Sequence, residues 1–211
     1  MKNQVKFFII LGVLFFSFNE SIAQASDSKE AYNQVLKLSP FEFGRSQFQV
    51  GYERYFNNKT RSVVFMPSFI LKRNNNHKSD GAELGLQYRM YLSQNDGGIF
   101  HRIGYYSGFY GFGMVLREEY QLFNYAPNNP NGTPYTATND VKSLEGGVLL
   151  GIQIDITKRI VLDFFAGGGV RYSNVVDQRA QQESYYSNYG VFDREYTGIK
   201  PRVGFQLGVT F

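Results

Sequence analysis

His77 and His101 are the only histidines in the 211-residue chain, and it has no cysteine. His77 stands two residues before Ser79, the one spacing here in which an imidazole could serve a hydroxyl nucleophile, as a lipid-modifying enzyme would need. A solvated polar loop, RNNNHKSD (73–80), accounts for the same residues without catalysis. Two separated histidines without cysteine supply no zinc ligand set, so no metal and no cofactor is expected. Gly167-Gly168-Gly169 lacks the lysine and following helix of a phosphate loop and reads as a bend or a close approach in a strand. Asn131-Gly132-Thr133 matches a glycosylation sequon, a pattern too short to carry weight by itself.

The remaining chemistry lies in carboxylates and cations. Glu53, Glu83, Glu145, Asp155 and Asp163 could in principle work as paired acids and bases, but no spacing sets two of them at a catalytic separation. All five fall on the polar phase of alternating segments, together with Arg89, Arg171, Lys200 and Arg202. Nearly balanced charge on one face predicts an ion-pair network that fills an interior, since an unpaired buried ion costs several kcal/mol.

Those segments have period two, which is β-strand periodicity. About eight can be read: near Val35–Phe43 with the phase disturbed at Pro40, Ser46–Phe56, Arg61–Lys72, Ala82–Leu92, Ile99 to about Tyr120, Leu144–Ile156, Ile160–Tyr172 and Ile199–Phe211. In the fourth, Ala82, Leu84, Leu86, Tyr88, Met90 and Leu92 alternate with Glu83, Gly85, Gln87, Arg89 and Tyr91. The third is apolar on both faces, and no helical period of useful length occurs beyond a possible turn at 26–34. Short polar turns at 57–60, 93–98 and 157–159 alternate with longer links at 73–80, 120–142 and 173–195, and only the tight link after the first segment, around Gly44-Arg45, breaks the pattern. Short turns on one side and long loops on the other mark a transmembrane barrel, and an even strand count brings both termini to the short-turn side.

The N-terminus predicts export. Lys2 and Lys6 precede the apolar run FFIILGVLFFSF, and Ser21 and Ala23 are placed for cleavage before Gln24, so residues 1–23 read as a secretory signal. A segment 24–34 and a barrel domain 35–211 follow. Removing Lys2, Lys6 and Glu20 lowers 22 basic and 18 acidic residues to 20 and 17, scattered along the chain, so no nucleic-acid partner is expected. The 36 aromatics (16 Tyr, 20 Phe) and 22 Gly suit an all-β chain.

VGYERYF (50–56) before its turn, LGLQYRMYL (84–92) and the terminal LGVTF (207–211) resemble the small eight-stranded outer-membrane β-barrels of Bacteroidetes type, a family without assigned function. That resemblance implies an all-β, antiparallel, up-and-down barrel in the outer membrane of a Gram-negative cell, monomeric, with lipid around it. It also implies that the terminal strand is read by the barrel-assembly machinery, with Val209 and Phe211 as the alternating apolar positions of the signal; Gln206 stands where that signal often has Gly.

Function then falls between two classes. One is an outer-membrane barrel with a plugged interior, structural or surface-interacting and without catalysis. Tyr125, Tyr135, Tyr185, Tyr186 and Tyr189 are its candidate recognition residues, unless these rings serve a protruding sheet or the interfacial girdle. The other is a soluble periplasmic lipocalin-like barrel holding a small apolar ligand. The two differ in which face of the sheet is turned inward, and a lipid-modifying enzyme comes third.

Overall fold

The computed structural model describes residues 33–211 except 75–76, 96–97, 127–128, 178–189 and 192. The strands are β1 (Gln34–Leu38), β2 (Gln47–Phe56), β3 (Arg61–Asn74), β4 (His77–Asn95), β5 (Arg102–Ala126), β6 (Asn129–Asp155), β7 (Ile160–Asp177) and β8 (Gly198–Thr210). One helical turn, α1 (Pro40–Phe43), lies between β1 and β2. Each strand pairs antiparallel with the next, and β8 pairs with β1 to close the ring. The fold is an eight-stranded up-and-down barrel.

Local chemistry sets the boundaries. Pro40 ends β1 earlier than the expected Phe43, because proline has no N–H for the ladder and its ring suits the first turn of a helix. Asn57, Asn58 and Lys59 take φ of 52°, 52° and 64°, a left-handed run that asparagine tolerates, and Thr60 closes the turn by donating to the Asn57 carbonyl. The doubly apolar β3 is resolved: Val64, Met66 and Ile70 are buried, while Val63, Phe69 and Leu71 are exposed.

The links expected to be long need correction. Residues 73–80 are not a loop: β3 and β4 stay paired up to Asn74↔His77. Likewise β5 and β6 run as a ribbon through the expected loop 120–142, paired as far as Ala126↔Asn129. β5 begins at Arg102 rather than Ile99, and the turn of helix near 26–34 lies outside the described residues, apart from Asn33 and from Gln34 in β1. The asymmetry between the two ends therefore comes from strand length, since the wall rises from 5 residues in β1 to 27 in β6 and falls again to 13 in β8. Beyond the barrel body a ribbon is wetted on both faces, so it has no reason to alternate apolar and polar residues, and its sequence reads as loop.

Closure turns the apolar phase outward. Leu84, Leu86, Phe109, Val148, Leu150, Phe164, Val203 and Val209 are all exposed, whereas Glu53, Gln87, Arg89, Gln153 and Asp163 are buried. The inner face makes room for large side chains by placing glycine opposite them. A Cβ on Gly85 would lie 2.1 Å from the Phe112 ring, one on Gly151 2.3 Å from that of Tyr106, and one on Gly204 2.1 Å from that of Phe165. Interior rings thus sit in holes left by glycines on neighbouring strands, which lets a barrel this narrow be filled.

Candidate functional site: the charged interior

The inward residues of β1, β2, β4 and β7 meet near the end where β1 begins and β8 ends. Lys37 Nζ lies 2.5 Å from Glu53 Oε2 and 2.6 Å from Asp163 Oδ2. Arg89 Nη1 lies 2.6 Å from the same Asp163 oxygen and 3.6 Å from Glu53 Oε1. Two cations thus face two carboxylates, all with fully buried side chains. Hydroxyls and an amide add further bonds: Tyr106 donates to Asp163 (2.6 Å), Tyr91 and Ser62 donate to Glu53 (3.0 and 2.5 Å), and Arg89 donates to Gln87 (2.9 and 2.6 Å). The Arg89 guanidinium also lies over the Tyr106 ring, 4.4 Å from its centroid. Toward the rim, Gln153 donates to Tyr55, and Arg102 Nε donates to Asp155 at 2.8 Å.

A second cluster lies higher, where β4, β6, β7 and β8 converge. Arg171 donates to Glu145 Oε2 at 2.8 Å through Nε, and Arg202 Nε donates to Glu145 Oε1 at 2.8 Å. Arg171 Nη2 lies 3.9 Å from Glu83, which accepts from Gln47 at 3.2 Å. Arg202 lies over Phe112, 3.6 Å from its ring centroid. Lys200 is buried nearby. The nine charges read from the sequence all point inward, but they form two clusters and a rim pair rather than one chain.

Reading the residues alone missed Lys37, which balances the lower cluster, and Arg102 at the rim. Lys37 was legible: Leu36 and Leu38 flank it in a short alternation, but Pro40 broke the phase of the longer strand expected there. Tyr55 and Tyr106 were missed because an inward tyrosine in a polar core looks, in a sequence, like any aromatic.

His77 and Ser79 do come together. Ser79 Oγ is 3.0 Å from His77 Nε2 and donates to Glu118 Oε1 at 3.0 Å. Glu118 Oε1, however, lies 3.5 Å from that same Nε2, whereas a relay needs the carboxylate on the opposite ring nitrogen. Ser79 is 0% exposed, and His77 stacks on Tyr120 with centroids 4.4 Å apart. The group is a packed cluster at the barrel mouth. Glu195, from the β7–β8 link, hydrogen-bonds to Glu118 there.

Val209 and Phe211 face outward, and Phe211 N donates to the Gln34 carbonyl. Tyr135 is exposed on the ribbon. Tyr185, Tyr186 and Tyr189, and the side chain of Tyr125, lie outside the described residues.

No family model matches the chain. No curated protein matches it either. Among solved structures it is similar to the crystal structure of CarO from Acinetobacter baumannii, at 9% identity and a TM-score of 0.37, over 88% of this chain and 99% of that one.

Proposed function

We propose that the exported chain is an integral outer-membrane barrel, monomeric and closed by its own side chains, with a structural or surface-interaction role and no catalysis. The observation that carries this is the sign of the two faces: apolar side chains point out and ion pairs point in. A barrel holding an apolar ligand in water needs the reverse. Burying charge is tolerable where ions pair, as Lys37 and Arg89 do with Glu53 and Asp163, and leaving a ring of leucine, valine and phenylalanine exposed is tolerable when lipid covers it.

The outer face has a boundary that supports the same reading. On β5 the apolar zone runs from Ile103 to Val115, about 30 Å along the barrel axis after tilt, near the thickness of a hydrocarbon core. Directly above it Asp80, Arg117 and Asp140 form one cross-strand row, with Arg117 Nε donating to Asp140 at 2.8 Å and Arg73 lying 3.2 Å from Asp80. Above that row the β5–β6 ribbon extends into solvent. Residues 1–23 would direct export, the assembly machinery would read Val209 and Phe211, and the ribbon with Tyr135 would be the surface offered to an extracellular partner.

Cell fractionation with protease shaving of intact cells tests this. Membrane retention with cleavage inside 120–142 or 173–195 is expected, and recovery from the soluble periplasm would overturn the reading.

A further inference from the structure

The barrel wall is incomplete on one side. β8 pairs with β1 only from Leu207 to Thr210, because β1 stops at Leu38. From Gly198 to Gln206 β8 has no strand on that side among the described residues, and Pro201 falls in this stretch, as suits an edge. Across the gap, β2 residues 47–49 also lie beyond the last β1 pair, Leu38↔Val50. One missing strand leaves an opening about 10 Å wide, the diameter of a helix. It lies at the level of Val203 and Phe205, within the apolar zone.

α1 fills this window. Phe41 packs edge-on against Phe205 (5.8 Å between centroids) and Phe43 stacks on Phe48 (5.9 Å), yet the two rings stay 68% and 49% exposed. Glu42 points the other way. With Arg45, Glu83, Arg171, Arg194 and Arg202 it lines a cavity of about 10 Å³ behind the helix, room for a single water-sized guest. Glu42 Oε2 is buried without a hydrogen bond and lies 3.8 Å from Arg45 Nη1. Arg194 Nη2 donates to the Arg45 carbonyl at 2.8 Å, strapping the β7–β8 link over the turn that follows α1. With Lys200 and Glu145 included, five cations meet three carboxylates at this level; Arg194 also feels Glu118 and Glu195 farther up the mouth.

We propose that this is a lateral port: α1 swings out of the wall to admit a phosphorylated amphiphile from the lipid, whose headgroup takes the place of the Glu42 carboxylate among the arginines while its chain stays against Phe205 and Phe48. With Glu42 gone, five cations face only Glu83 and Glu145, enough positive charge to hold a phosphate monoester, and guanidinium forks suit its oxygens. Glu42 leaves with the helix, so the same movement that opens the window vacates the anion position. The inference rests on the membrane reading above, because only lipid at the window supplies such a ligand.

The test uses the mature barrel in dodecyl maltoside with dodecyl phosphate, and with inorganic phosphate alone, bound stoichiometry being read by native mass spectrometry. One dodecyl phosphate per barrel is expected. Glu42→Gln should tighten binding about tenfold by removing the internal competitor, and Arg194→Gln should weaken it about tenfold. Joining Phe41→Cys and Phe205→Cys with a reducible bis-thiosulfonate should abolish binding until the link is reduced. Binding that ignores the cross-link, binding of inorganic phosphate as strong as that of the amphiphile, or indifference to Glu42→Gln would each overturn the port. Vesicle flotation and heat-modified gel mobility of the same samples report on the membrane reading separately: a barrel that floats but does not bind sinks the port alone.

Discussion

Arg89 differs from Arg117 although both are ion-paired arginines in strands. Arg89 shares fully buried Asp163 and Glu53 with Lys37, while Arg117 meets Asp140 on the wetted outer surface. Arg89→Ala strips a cation from a cluster that water cannot reach, and should cost on the order of 3–5 kcal/mol; Arg117→Ala should cost far less, because water screens the exposed pair. Urea midpoints of the two variants check this, and equal midpoints would contradict the buried network. Glycine is equally position-specific. Gly85→Ala places a methyl in the space of the Phe112 ring and should destabilise by about 1–3 kcal/mol. Phe112→Leu in the same chain should recover part of the loss, which an effect confined to strand propensity would not allow.

Among the elements, the β7–β8 link is tied to the barrel mouth by groups that titrate. Burial, together with the hydrogen bond to Glu118 and its charge, raises the Glu195 carboxyl from 4.5 to about 7, while the partner Glu118 is lowered, its hydrogen bonds outweighing its burial. Between these values the docked link holds a proton that the undocked link releases. Glu195 therefore favours docking fully by about pH 4.5 and loses that contribution as pH rises through about 7, while the lowered Glu118 withdraws its own support below pH 4.5. Proteolysis within the link should accelerate from about pH 6 to about pH 8, and Glu195→Gln should remove that dependence. A rate that is flat with pH in the unaltered protein would show that Glu195 does not hold the link. The ribbon of β5 and β6 carries a different lesson. Its strands were not visible as strands because both faces are wet there, yet pairing continues unbroken to Thr133↔Asn124.

For the whole molecule, the terminal strand completes the closure. β8 ends one residue before Phe211, and Val209 pairs with both Leu36 and Ile160, so the last residues complete the seam. Phe211→Ser keeps the ladder and removes only the outward ring. If that ring is read during assembly, the variant should accumulate unfolded in the periplasm, as unshifted mobility on heat-modified gels would show. Normal membrane levels would mean that the ring is dispensable while the barrel stands.

The eight alternating segments, their order and the polar phase of nine charged residues were all written in local pattern, because period two depends only on neighbours along the chain. Closure could not be read that way. Alternation defines two faces but not which one is concave, and that choice depends on contacts between distant residues: Phe112 over Gly85, Lys37 beside Asp163, and Arg202 beside Glu145. Nor could local pattern show that β1 stops short of β8, since the sequence marks only Pro40 and the missing partner lies at the opposite end of the chain. Side-chain phase is a property of a strand; which phase faces inward, and where the wall is left open, are properties of the ring.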